Sequence, residues 1–385
     1  MTAVSEPDAS RPIAVVTTVA TLEEARRMAQ GIVERRTTIP VLSHLLLSAK
    51  GDRLHLAATD LDVSLTSSVG AEVAAEGAIA VQAKKFIEIV RAVVAAEVEL
   101  SLEEGRSLRI AAGKSRFRIH GLPPADFPTL PAVEGPARLE LPLAAFRRLI
   151  GKVLFAVSNE ESRFQLSGAL LRLKGKRAEM VATDGHRLAL IDTALPTAAG
   201  DDAVLVPRKA LHELLRFEGE GNLEFRRGEH HLSFRCGARE MICRILDGAF
   251  PDYERVIARG NDKRVVVDRK ALSEAVQRVA LMTGDRNRGV RIEFTAGEIA
   301  IAAANPDLGE ASETLACDFA GPAVKIGLNP DYMAQFLAAV ETDQVLLELK
   351  DENSQCVGHP VRAEGPDAAA GPDEKYLCII MPMRI

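Results

Sequence analysis

Tryptophan is absent from this 385-residue chain, only three tyrosines occur, and aromatic residues make up 4% of it. Carbohydrate platforms and base-stacking surfaces are built from such rings, so neither is expected. No run reaches the ~18 consecutive apolar residues that a bilayer-spanning helix needs. The opening residues, MTAVSEPDASRP, lack a basic start followed by an apolar centre, and read as a short disordered extension over 1–12, not a secretory signal. The five cysteines (Cys236, Cys243, Cys317, Cys356, Cys378) are odd in number and never fall at Cys-x-x-Cys spacing. That is the usage of a reduced, cytoplasmic protein with incidental thiols.

Catalytic constellations are missing too. AAGKS at Ala111–Ser115 resembles the end of a phosphate-binding loop, but Leu108 stands where the earlier glycine belongs, and the context is a hairpin. TDGHRL, Thr183–Leu188, brings Asp184 and His186 close in sequence, yet no nucleophile motif accompanies them. His230 and His231 have no further ligands at zinc spacing, and no G-x-G-x-x-G opens a helix. No metal, no cofactor and no enzyme activity are expected.

What is present is repetition. The chain is too long for one growing core. Three segments begin with a β-like run and pass straight into an amphipathic helix, starting at Ile13, Ala137 and Lys263, about 125 residues apart. Each is followed by a strand ending in an acidic turn (LHLAATDLDVSL, AEMVATDGHRLALI, EIAIAAANPDLGEASETL). A strand feeding a second helix comes next (GAIAVQAKKFIEIVRAV, DAVLVPRKALHELLRF, PAVKIGLNPDYMAQFLAAV). The first two copies close with similar hairpins, LRIAAGKSRFRIHGL and LSFRCGAREMICRIL, and the third with the C-terminal strand alone. Period-two strands with two helices per copy indicate antiparallel α+β domains.

The net charge of −6 argues against a nucleic-acid binder until its distribution is considered. Five of the six repeat helices carry clustered cations: Arg26, Arg27, Arg35 and Arg36; Lys84, Lys85 and Arg91; Arg147, Arg148 and Lys152; Arg208, Lys209 and Arg216; Arg269, Lys270 and Arg278. Acidic residues concentrate in loops and hairpins. If the repeats point those helices one way, a positive stripe suited to a polyanion results.

The ordered set ATDGHRLAL, FPDYERVI, TTIPVLSHLLL with ATDLDV, VPRKAL and the terminal MPMRI resembles the bacterial DNA sliding clamp, the beta subunit of DNA polymerase III. The resemblance runs from Ile13 to Ile385. It implies three clamp domains, 13–135, 136–261 and 262–385, with antiparallel sheets outside and helices inside. Two chains would close head to tail as a dimeric ring round duplex DNA, without sequence specificity. Matching positions put Arg36, Lys84, Lys85, Arg91, Arg208 and Lys209 toward the DNA. They put Phe117 and Ile119 against Leu281 and Met282 at the dimer interface, flanked by Lys84 and Lys85 against Glu310 and Glu313. A partner-peptide groove would comprise Leu166, Thr183, Gly185, His186, Arg187, Leu188, Pro251, Arg255, Val256, Tyr332, Ile379, Met381, Pro382, Met383 and Arg384. There Met residues repack round different ligands, and Arg187, Arg255 and Arg384 hold polar groups at the rim. The implied partners are the polymerase III catalytic subunit, the clamp loader, other polymerases and mismatch-repair proteins. The loop Ser158–Gly168 departs from the family pattern, and no role follows for the N-terminal extension or for 365–374. Two other readings stay open: a peptide-binding scaffold that does not encircle DNA, which a monomer in solution would favour, and an α+β hydrolase using Asp184 and His186, which needs turnover lost in His186→Ala.

Overall fold

A computed structural model describes residues 14–18, 22–24, 28, 31–33, 38–103, 106–160, 162–257, 260–284, 288–361 and 374–384. The N-terminal extension, Arg36 and the 365–373 part of the insertion lie outside them.

Local sequence accounts for the elements. In the strand His44–Lys50 every second residue (Leu45, Leu47, Ala49) is buried, as a pleated strand with one core face requires. The helix Ala83–Ala92 buries Ala83, Phe86, Ile89 and Val90 on one stripe and leaves Lys84, Lys85 and Arg91 in solvent. Arg269–Ala280 is started by Asp268, whose carboxylate accepts from the Ala271 N–H at 2.7 Å. Asn329 does the same for Pro330–Ala339, at 2.9 Å from the Asp331 N–H. Pro330 opens that helix where its missing N–H matters least.

The chain divides into two compact units, 1–144 with 212–245, and 145–211 with 246–385. The first is organised round one continuous thirteen-stranded sheet. Within it Val63–Gly70 of the first repeat pairs antiparallel with Arg239–Arg244 of the second, Leu65 opposite Met241. The second unit holds an eight-stranded and a four-stranded sheet. There Arg187–Ala194 of the second repeat pairs with Glu374–Ile380 of the third, Leu188 opposite Ile379. The middle repeat is therefore shared: its outer strands belong to one unit and its inner strands to the other. The reason is physical, since each repeat offers a strand edge that the closing strand of the next one satisfies.

The third repeat closes differently from the expectation. Cys356–Pro360 and Glu374–Ile380 are paired neighbours, so a hairpin ends this copy as it ends the others. The insertion falls in its connection and hides it from a sequence comparison.

Turn chemistry repeats as well. The side-chain oxygens of Asp60, Asp184 and Asn305 each accept two N–H groups of their own turn, from Asp62 and Val63, His186 and Arg187, and Asp307 and Leu308. At the position after the acidic residue Gly185 has φ +91°, and Leu61 has φ +81°. Leucine in that region carries a steric penalty that glycine avoids. We expect Leu61→Gly to raise the stability of the folded chain by about 1 kcal/mol, read as a higher urea midpoint at unchanged slope; an equal or lower midpoint would show that the turn is unstrained.

Candidate partner groove and basic helices

The groove residues converge where the second and third repeats meet. Thr183 is buried; its hydroxyl donates to the Arg187 carbonyl at 2.6 Å and accepts from Gly185 N–H at 3.1 Å. This fixes the turn on which His186 stands exposed. The tail then docks on both sides: Met381 N–H donates to the His186 carbonyl at 2.9 Å, and Met383 N–H to the Gly327 carbonyl at 2.8 Å. Arg163 in the preceding loop donates to the Asp184 carbonyl at 3.3 Å, and Leu166 beside it is buried.

Beneath lies a closed apolar floor of Val181, Leu188, Leu190, Tyr253, Val357 and Ile379, with Phe250 and Ile257 packed against it. The Tyr253 hydroxyl donates to Glu179 and accepts from Arg172 at 2.7 Å, while Arg172 also reaches Glu254 at 2.6 Å. Burial pushes the Glu179 carboxyl up, and burial together with Asp184 raises the Tyr332 hydroxyl. Val256 and Met381 stand out of this floor as apolar rim, with Pro251 exposed beside them and Pro382 and Met383 half-buried.

Arg187 is not at the rim. It is 8% exposed and fully engaged. Its Nε donates to Asp184 Oδ2 at 3.0 Å, one Nη donates to Gln335 Oε1 and the other to the Phe155 carbonyl. The guanidinium lies 4.3 Å from the Tyr332 ring centroid. It ties the turn of the second repeat to the helix of the third, so the polar rim falls to the exposed Arg255 and Arg384. Asp184 at i−3 was visible in the sequence; Gln335 and Phe155 were not.

The chain matches three family models in order: the N-terminal (16–131), central (140–252) and C-terminal (254–368) domains of the DNA polymerase III beta subunit. It is 38% identical over 364 residues to the beta sliding clamp of Pseudomonas putida, covering 93% of this chain and 96% of that one. The chain belongs to the DNA polymerase III beta subunit family. The Escherichia coli K12 beta sliding clamp is 33% identical over 354 residues, 91% of this chain and 94% of that one. Among solved structures, the Pseudomonas aeruginosa clamp bound to griselimycin superposes with a TM-score of 0.88 at 36% identity. The Bartonella birtlesii clamp bound to griselimycin gives 0.90 at 30%; each match covers 97% of this chain and 100% of the other.

The basic helices are less uniform than their sequences imply. Lys84 and Arg91 are exposed; Lys85 pairs with Glu88 at 2.6 Å in its own helix. Arg208 and Lys209 are half-buried. Arg148 and Lys152 leave the stripe. Arg148 binds Glu374 and Glu341, and Lys152 is buried, donating to the Ala339 carbonyl and to Glu341 at 2.9 Å. Arg269 donates to the Thr342 carbonyl at 2.8 Å, closing the end of the Pro330–Ala339 helix.

For the expected interface, Ile119 is buried, Phe117 and Met282 are half-buried, and Leu281 is 75% exposed. Of its flanking charges, Glu313 pairs with Arg278 at 2.6 Å inside its own chain. Sequence reasoning missed Leu308, 57% exposed at the turn position where the other repeats place buried Val63 and Arg187.

Removing one partner of a buried charge pair strands the other. Arg187→Ala is expected to lower unfolding free energy by about 3–5 kcal/mol, whereas Arg255→Ala, whose partner Asp252 is a surface ion pair, should stay within about 0.5 kcal/mol. Chemical denaturation of both decides the matter; equal effects would place Arg187 at the rim after all.

Proposed function

We propose that this chain is a DNA polymerase processivity factor: a non-catalytic, cytoplasmic sliding clamp that encircles duplex DNA and tethers its partners through the groove described above. The observation carrying this reading is the ordered match of all three repeats to the three domains of one family, with the same turn and the same junction built at each step. The domain limits 13–135, 136–261 and 262–385 follow from the repeats.

Ring closure has a strand-level logic. Two junctions inside the chain join the strand after the acidic turn to the closing strand of the next repeat. Among the described residues, Gly309–Ala316 has a strand neighbour on one side only, and Ser115–His120 is paired only with the Ser107–Ala112 strand. A second copy would bring these two edges together and repeat the same junction, giving a head-to-tail C2 dimer. Phe117, Ile119, Leu281, Met282 and the exposed Leu308 would then supply its apolar centre.

Lys84, Lys85, Arg91, Arg208, Lys209 and Arg36 would meet phosphates, contacts that are interchangeable from one base pair to the next. Retention by topology lets each contact remain weak and salt-sensitive. The groove suits short segments with one or two apolar anchors, from the polymerase III catalytic subunit, the clamp loader, other polymerases and mismatch-repair proteins.

The protein loaded on nicked circular DNA should stay bound through a high-salt wash and be lost when the circle is linearised; equal loss from both would leave a scaffold that does not encircle DNA. Leu308→Lys should shift the species in sedimentation from dimer to monomer. Deleting Met381–Ile385 should weaken binding of the polymerase III catalytic subunit about tenfold or more while the dimer persists. Unchanged affinity would remove the groove assignment.

A further inference from the structure

We propose that the partner segment seated in the groove reaches round Pro251 and places a further apolar side chain in the cleft beside it, against Leu170, Leu205 and Phe250. This rests on the groove reading and extends it.

The cleft has a volume of about 380 Å³ and lies between the second repeat's strands Gly168–Lys174 and Asp202–Pro207 and its exit loop. That is the size range of small-ligand pockets, with room for a large side chain. Pro251 belongs to both sites, and Leu170 and Phe250 pack against the same buried cluster that contains Leu188 and Ile379. The two depressions therefore share Pro251 and the apolar cluster beneath them, so a segment seated in one has a continuous apolar support toward the other.

The first repeat shows what the same architecture does when it needs no cleft. Its exit loop carries the same Phe-Pro pair, Phe127-Pro128. Phe127 is buried there in a cluster with Val41, Leu42, Ala57 and Ala80, and Leu46 and Leu130 pack against it. In the second repeat Phe250 is only half-buried, and the space stays open. An apolar surface left uncovered in one copy and covered in its sibling points to an external occupant.

The lining also sets the chemistry. Arg172 is engaged by Tyr253 and Glu254, and Asp252 by Arg255 at 2.6 Å. The cleft thus has its charges already paired and favours an uncharged, apolar side chain over an acidic or basic one.

Ala203 and Ala249 line the cleft from exposed positions, so a larger residue at either can fill it without disturbing the core. Affinity for the polymerase III catalytic subunit is measured for the full chain, Ala203→Trp, Ala249→Trp and the Met381–Ile385 deletion, with melting temperature and dimer mass as controls. The proposal expects each Trp variant to bind about fivefold or more weakly at unchanged melting temperature and mass. If the deletion weakens binding and neither Trp variant does, the cleft is not used and the groove stands. If the deletion has no effect, the groove reading falls and this inference with it.

Discussion

A β-strand left unpaired at the side of a sheet exposes a row of hydrogen-bonding groups that must be matched by something. This constraint organises the protein. The Val63–Gly70 edge is matched by Arg239–Arg244, and the Arg187–Ala194 edge by Glu374–Ile380. Each match also brings the acidic turn of one repeat against the chain leaving the next. Arg244 N–H donates to the Asp62 carbonyl, and Met381 N–H to His186. The candidate groove follows from solving the edge problem: beneath it are the paired strands, and beside it the turn and the tail.

Polarity is distributed accordingly. The one arginine in the turn motif is spent on holding the junction, buried among Asp184, Gln335 and Tyr332. What faces outward there is mixed: apolar Val256, Met381 and Pro251 stand beside exposed His186, Arg255 and Arg384. A rim of this kind, with apolar anchoring positions beside unburied cations, suits the peptide-docking role proposed for it.

The elements themselves were legible in the sequence because local patterns determine them. The β-runs that pass into helices at Ala137 and Lys263 and the acidic turn of TDGHRL can each be read within a few residues. The triplication was legible too, since whole blocks recur. Pairings between distant segments were not: nothing near Leu65 announces Met241, and nothing near Arg148 announces Glu341 or Glu374. Charge on a helix was therefore read as surface when Lys152 in fact points inward. The candidate groove residues came from family resemblance, which did not reveal the role of Arg187, because a guanidinium looks the same in a motif whether it greets a ligand or locks two repeats together. The third closing hairpin was concealed by the long connection between its strands.

The division of the middle repeat between two units has a consequence for dissecting the molecule. Excising that repeat along its sequence boundaries would strip the strand partner from each neighbour, leaving both with raw, adhesive margins. Fragments cut by homology are thus expected to clump, while fragments cut along the continuous sheets would keep both seams inside the chain closed.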